Sequence, residues 1–436
     1  MAARRKRGAG SGRKRAGSAR KRRAAGSREP ATSRSRARGI LADPNSGKGK
    51  GSASRAAAGR ARFDPRRGPL DGVTVVDLTR ILSGPYCTLM LANLGARVIK
   101  VERPGTGDDA RAIGPFTKAG QSAYFASVNH GKESVALDLK RAEDRAAFER
   151  LVDAADVLVE NFRPGTMEKL GYGWRRARRR WPRLVYVSVS GFGDTGPLRT
   201  RPAYDMVVQA MGGIMSITGE AGGRPTRVST SIGDIAAGMF AATATVAALH
   251  QRSATGAGAR VDVAMLDAQV ALLENAIARY VTSGVVPGPL GSRHPSITPF
   301  GAFDTARGQV VIAAGNDGLF RKLCKVLGTP ELATDPRFET NTERCTNEPA
   351  LRAALERALA SADAETWLAR LEAAELPCAP VHDVAEVLAH PQTLARNMAL
   401  PIDAPEYAGV LVAGNPMKIS TMRERKKARR VPALRP

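Results

Sequence analysis

A chain of 436 residues with 43% hydrophobic side chains can bury more than one core, and it carries a formal net charge of +26. The charge sits at the ends: residues 1–67 hold 22 Lys and Arg against 3 Asp and Glu, residues 421–436 hold 7 against 1, and residues 68–420 are near neutral at 38 against 37. That distribution excludes a body built to bind nucleic acid and confines any such contact to the two tails, where it is not the favoured reading.

The first 67 residues are rich in Ala, Gly, Ser and Arg and offer only Ile40, Leu41 and Phe63 as large apolar groups. That is too little to offset the entropy of ordering the backbone, so a disordered basic extension is expected. No apolar stretch of roughly 15 residues follows the basic start, and later apolar segments carry charged or capping residues. Neither a secretory signal nor a membrane span is expected, which implies a cytoplasmic protein. Cys87, Cys324, Cys345 and Cys378 share no CxxC spacing and the five histidines are scattered, so the expectation is free thiols and no metal site.

Residues 68–72 form a turn, after which Val73 to Leu78 read as a short β-branched strand. Ser83-Gly84-Pro85 stops that strand and starts a helix through Leu94, and Ala96 to Val101 follow as a second strand, a Rossmann-type unit. Further strands are expected at Ser134 to Leu139, Asp156 to Glu160, Leu184 to Val189 and Arg260 to Val263. Helices are expected at Ala142 to Ala154, Asp205 to Met211, Ile235 to Leu249 and Met265 to Tyr280. The Pro/Gly-rich passage Val285 to Pro299 reads as a linker. Beyond it, strands at Gly301 to Phe303, Gln309 to Ala313 and Cys378 to Val381 alternate with helices at Leu319 to Leu327 and Pro349 to Ala360, and Val410 to Ala413 is one more strand. The expected fold is therefore α/β. It comprises a large Rossmann-like domain over 68–284, a linker over 285–299, a smaller α+β domain over 300–390, a C-terminal return to the large domain over 391–420 and a basic tail over 421–436.

Glu102 closes the second strand where a dinucleotide fold would place a ribose-binding acid. The preceding loop, Thr79-Arg80-Ile81-Leu82-Ser83-Gly84-Pro85, lacks the GxGxxG spacing that brings backbone onto a pyrophosphate, so a dehydrogenase is set aside. A second segment, Ser231-Ile232-Gly233-Asp234, precedes a run of small and apolar residues. Asp234 thus stands as an N-cap or first-turn acid, a position that favours the ionised carboxylate, and the bare Gly233 leaves room for a bulky ligand. An ordinary N-cap explains the same aspartate, and pattern alone favours that plainer account.

Four segments, "GPLDGVTVVDLTRILSGPYCTLMLANLGARVIKVE", "VNHGKESVALDLK", "ADVLVENFRPG" and "SIGDIAAGM", occur in this order and spacing across residues 68 to 420. Together they resemble the family III CoA-transferases. The resemblance implies a Rossmann-like large domain completed by the C-terminal part of the chain, and two subunits interlocked like links. It also implies that Asp234 is the catalytic aspartate, with Gly233, Tyr124, Tyr204 and Asp205 supporting or lining the site. Arg103, Leu137, Lys140, Asn161 and Phe162 match positions that hold CoA, which enters as a thioester substrate rather than a resident cofactor. Arg103 offers a planar fork and Lys140 a point charge for phosphates, while Phe162 or Leu137 can cover an adenine face. Each has a plainer reading: a solvated lysine, a core aromatic, and for Asn161 a loop cap before Pro164.

Two departures weigh against a formate or oxalate substrate. The glycine run that covers the aspartate in the formate-using branch is replaced by Gly291-Ser292-Arg293-His294-Pro295-Ser296, and its glutamine after the first strand by Leu82. "RHPSITPF" instead resembles branches that use succinyl-CoA and other dicarboxylates, which makes Arg293 and His294 candidate contacts for a second carboxylate. The implied reaction moves CoA from an acyl-CoA to a carboxylic acid through an aspartyl anhydride and an aspartyl-CoA thioester. An α-methylacyl-CoA racemase is the nearest alternative, but it needs a second acid–base group, and His130, read as part of a CoA-side loop, does not match it. A nucleic-acid binder with an inactive transferase body is the other.

Overall fold

The computed structural model describes residues 63–434, so the expectations for the basic extension lie outside the described residues except at its last five positions. Six strands form one parallel sheet: β1 Thr74–Asp77, β2 Arg97–Glu102, β3 Glu133–Ala136, β4 Val157–Glu160, β5 Val185–Ser190 and β6 Arg260–Ala264. Their order, β3-β2-β1-β4-β5-β6, is that of a doubly wound sheet whose direction of winding reverses between β1 and β4. The connecting helices are α1 Ser83–Asn93, α2 Ala123–Asn129, α3 Ala142–Asp153, α4 Thr166–Leu170, α5 Trp174–Arg180, α6 Asp205–Met211 and α7 Ile232–Thr255.

The strands are short runs of Val, Ile and Leu because both faces of the sheet are covered. Alternate residues serve opposite faces: Val75, Val157 and Val159 pack with Leu91 of α1 and Ala237 and Ala241 of α7, whereas Val76 and Leu158 pack with Phe148 and Val152 of α3. Each such fully buried side chain contributes about 1.5–3 kcal/mol.

Three expectations are corrected here. The helix anticipated from Ile235 begins at Ile232 and ends only at Thr255, where left-handed Gly256 stops it. The single helix expected over Met265 to Tyr280 is two, α8 Met265–Leu272 and α9 Glu274–Ser283, because Glu274 takes a positive φ of 32° that no helix can propagate. The basic tail is no free tail through Leu434: Ala428 and Val431 are buried against Phe125, Gly131 N–H donates to the Arg430 carbonyl at 2.8 Å, and Arg111 donates to the Pro432 carbonyl at 3.0 Å.

Beyond Gly284, residues up to Pro299 carry no regular structure, and Gly291 is tied to the Gly219 carbonyl. A second, antiparallel sheet follows from β7 Phe300–Asp304, β8 Gln309–Ala313 and β9 Cys378–Pro380. It shares a core of its own with α10 Asp317–Leu327, α11 Asn341–Thr346, α12 Glu348–Leu359 and α13 Ala364–Ala373, in which Phe320, Phe338 and Trp367 are the largest apolar groups. After α14 Val384–Ala389 and α15 Pro391–Ala395, β10 Ala399–Pro401 pairs with β11 Leu411–Ala413. The strand expected to return to the large domain is thus half of a separate ribbon, packed on Phe125 of α2 rather than added to the six-stranded sheet.

Under β1 lies a fully buried charge network. Lys132 Nζ reaches Asp77 at 3.2 Å, Thr88 at 2.8 Å, Asn129 at 2.8 Å and the Pro85 carbonyl at 3.0 Å; Lys100 Nζ reaches Asp108 at 2.8 Å and the Thr79 carbonyl at 2.6 Å. Burial alone would raise Asp77, but Lys132, Lys100 and hydrogen bonds from Thr79 and Thr88 hold it at about 2. Removing one partner strands a charge in low dielectric. Lys132→Met is expected to cost about 3–5 kcal/mol in urea unfolding; a loss under about 1 kcal/mol would show that the pair is not a structural support.

Candidate functional site: a carboxylate at the head of α1

Ligands of doubly wound sheets bind beyond the carboxyl ends of the strands, where the winding reverses. At that point the loop from β1 to α1 is held by side chains at five of the six polar backbone groups of three successive residues. Thr79 N–H donates to Asp77 and its carbonyl accepts from Lys100; Arg80 N–H donates to Asn161 Oδ1 and its carbonyl accepts from Asn161 Nδ2, both at 2.8 Å; Ile81 N–H donates to Asp108 at 3.1 Å. Ile81 has a φ of 66°, a conformation that costs a β-branched residue about 1–3 kcal/mol and is tolerated because its surroundings leave no alternative. The loop delivers Ser83 as the first residue of α1.

Asp234 meets that helix end. It lies in the first turn of α7, with Ser231 at the N-cap position, and α7 crosses α1 closely: a Cβ on Gly238 would fall 2.7 Å from the Ser83 carbonyl. Hydrogen bonds from the Ser83 hydroxyl and backbone pull the Asp234 carboxyl down, but burial first, and then the negative charge of Asp205, outweigh them and push it up to about 7. The expectation that a helix end would favour the ionised form is therefore reversed. Asp205 cannot relax this field, because both its oxygens are engaged: Oδ1 accepts from Gly233 N–H at 2.9 Å and Oδ2 from Gln209 at 2.8 Å, with Arg227 3.4 Å away. Tyr124, raised to about 12 by burial and by Asp234, Asp108 and Asp205, stays a protonated phenol beside them.

Next to the Arg80 loop opens a cleft of about 580 Å³ at the ends of β1, β2 and β3. Leu78, Val101, Leu137, Leu139, Phe162 and Leu170 supply apolar walls. Arg80, Arg103, Lys140 and Arg141 supply positive charge at its edge. Asp109 pairs with both Arg80, at 2.9 Å, and Arg103, and the Arg80 guanidinium lies 5.7 Å from the Phe162 ring centre. Lys140 is exposed, its side chain without an ion pair among the described residues. A flat apolar slot rimmed by four cations fits a nucleotide carrying phosphates.

The sequence profile of the family described as CoA-transferase family III matches residues 70–435. This chain is a family III CoA-transferase. It is 49% identical to an acetyl-CoA:oxalate CoA-transferase of Acetobacter aceti over 81% of this chain and 90% of that one. It is 42% identical to a succinyl-CoA:mesaconate CoA-transferase of Haloarcula hispanica, with the same two coverages. A crystal structure of a CAIB/BAIF family protein from Brucella suis matches at a TM-score of 0.74 and 39% identity, covering 84% of this chain and 96% of the other.

Within the transferase, Arg103, Leu137, Lys140 and Phe162 converge on one cleft, and Asn161 lies beneath it as the clamp on Arg80, 3.4 Å from the Ser83 hydroxyl. Tyr124, Asp205 and Gly233 gather at Asp234, whereas Tyr204, at the N-cap of α6, is 77% exposed. Gly233 makes no room for a ligand: a Cβ there would meet Gln269, Val208 and Asp205 within 3.1 Å, so its bareness serves packing. Arg293 and His294 are not brought to Asp234. His294 stacks on Phe300 with ring centres 5.4 Å apart, and Arg293 lines a crevice by β7 with Glu348 and Arg352. His130 is not on the cleft side either; it is the C-cap of α2 and faces another cavity. Arg80 was missed as a site residue, although its place just after the first strand was a usable signal.

The raised carboxyl makes a stability prediction. Between pH 4 and 7 the unfolded chain has released the Asp234 proton and the folded chain has kept it, so stability falls as pH rises through this window and levels off above about 7. Asp234→Asn removes that titration. The melting temperature of the variant minus that of the wild type should grow from pH 4 to 7 and then stay flat; a difference independent of pH would contradict the raised carboxyl.

Proposed function

We propose that the enzyme transfers CoA between dicarboxylic acids, with succinyl-CoA as donor and Asp234 as the nucleophile. The observation that carries this reading is the half-buried Asp234 carboxyl set against the N-terminus of α1, one loop away from the cation-rimmed cleft. The relatives named for oxalate and mesaconate both act on dicarboxylic acids, which supports a dicarboxylate acceptor here.

In this reading Arg80, Arg103 and Lys140 hold the phosphates of CoA, and the adenine lies on Phe162 or Leu137. An Asp234 oxygen attacks the thioester carbonyl; the C–S bond breaks, leaving an acyl anhydride on Asp234 and a CoA thiolate. The thiolate attacks the Asp234 carbonyl, releasing the donor acid and forming an aspartyl-CoA thioester. The acceptor carboxylate attacks that thioester, giving a second anhydride and freeing the thiolate again. The thiolate then takes the acceptor acyl group and Asp234 is regenerated. At the head of α1 Ser83 N–H is bonded to Asp234, Pro85 has none and Tyr86 N–H is bonded to the Leu82 carbonyl, which leaves Gly84 N–H as the donor for each tetrahedral oxyanion. Gly233 N–H is not available for that role, being bonded to Asp205. Tyr124 and Asp205 set the field around the nucleophile.

A carboxyl that titrates near 7 makes the rate depend on pH in a definite direction, since only the carboxylate attacks. With succinyl-CoA and a panel of dicarboxylates, kcat/KM should rise with pH and flatten above about 7. Asp234→Asn should abolish transfer while staying folded, and in the wild type hydroxylamine should convert the activated Asp234 to its hydroxamate, with the donor acid or the CoA thiolate leaving. Arg103→Ala should mainly raise KM for the thioester. Normal transfer by Asp234→Asn, or an adduct mapping to Asp205, would overturn this assignment.

The dimer implied by the family is supported by a row of exposed apolar groups: Phe240 and Val246 on α7, Val270 on α8, and Ile277, Tyr280 and Val281 on α9, a helix with no buried residue. A surface of that kind needs a partner. Light scattering on the full chain should give twice the monomer mass; a stable monomer at working concentration would refute the dimer.

A further inference from the structure

A cavity of about 470 Å³ lies at the other end of α1, lined by Asn93 and by the segment that follows β11. Asn93 and Ser83 are the two ends of an 11-residue helix, so this cavity is about 15 Å from the Asp234 end. Its lining is strongly basic. Lys418 is paired with Glu424, and Lys427 lies 3.2 Å from Asp403, but Arg423, Arg425 and Arg429 have no ion pair among the described residues. Arg429 packs on Gly131 and is partly withdrawn from water, and burial together with Arg425 lowers its pKa to about 10.

Like charges are drawn to one cavity only at a cost, unless something of opposite sign belongs there. An independent feature says the same. His130 also lines this cavity, is 4% exposed, and its Nε2 is buried without a hydrogen-bond partner. Burial, Lys132 and Arg429 keep it neutral, with a pKa of about 4, so at neutral pH it can offer a single ring hydrogen bond without adding charge. Buried polar atoms left unpaired are rare in folded proteins, and such an atom on a residue that lines a cavity points to a missing partner, which a small shift of the ring would let it reach.

We propose that this cavity is a second binding site, separate from the CoA cleft, for a small polyanion whose phosphate or carboxylate oxygens are held by Arg425 and Arg429 and meet His130 Nε2. The arginines converge on a concavity instead of forming an extended stripe, which favours a small ligand over a nucleic acid. The site does not depend on the assignment of Asp234.

The test uses the full-length chain at low salt, titrated calorimetrically with inorganic pyrophosphate and, separately, with citrate; the tighter of the two identifies phosphate or carboxylate as the preferred chemistry. Saturable binding is expected to persist in Arg103→Ala, whose CoA cleft is weakened, and to fall roughly tenfold or more when Arg425→Gln/Arg429→Gln is added to it. Crystals soaked in sodium tungstate give a readout independent of any variant: an anomalous peak should lie within hydrogen-bond distance of His130 Nε2. Absence of saturable binding, loss of binding in Arg103→Ala alone, or tungstate found only in the CoA cleft would overturn the proposal.

Discussion

Two lysines and two aspartates buried beneath one turn hold the whole site in place. In dinucleotide-binding sheets the loop after the first strand is shaped by glycines and completed by the pyrophosphate of the ligand. Here the loop has bulky residues and is shaped from below: Asp77 and Lys100 take the polar groups of Thr79, Asp108 takes Ile81, and Asn161 takes both groups of Arg80. Because these bonds lie in a low dielectric they are strong, and each would be costly to leave unmade. The left-handed Ile81 is the visible expense of that arrangement, and the fixed position of Ser83 is its result.

From that fixed point the electrostatics of Asp234 follow. A carboxyl that burial and then a second aspartate push toward its neutral form, against a helix end that attracts its charge, is balanced near neutrality, where small changes in its surroundings alter its protonation. Asp205 is locked into the repelling role by its own bonds to Gly233 and Gln209. Of the pair, Asp205 carries structure and field.

The alternation of strands and helices was legible because both faces of the parallel sheet are covered, so that runs such as Val73 to Leu78 stand out between turn residues. The convergence of Arg103, Leu137, Lys140 and Phe162 was legible through family resemblance alone, since four residues on three different loops share no local pattern. What stayed hidden depends on tertiary contact. Nothing in the string Ser231 to Asp234 says that its carboxyl is buried or that Asp205 faces it, so the direction of the carboxyl shift was misjudged. Gly233 looked like space for a ligand because its neighbours Gln269 and Val208 are distant in sequence. The charged residues after Ser420 looked like a solvated tail, because the acceptor at Pro432 and the buried Val431 show their value only once α2 is beside them.

The bond from Arg111 to the Pro432 carbonyl joins residues 321 apart in the chain, and Gly131 is closed by Arg430 in the same way. During synthesis the C-terminal partners of these bonds emerge last, because the chain is made from its N-terminus. The six-stranded sheet can therefore assemble while α2 still has one flank open, and the arginines of the C-terminal segment dock onto a scaffold that already exists. Gly131, whose N–H is closed only by Arg430, is thus a natural reporter for completion of the native state.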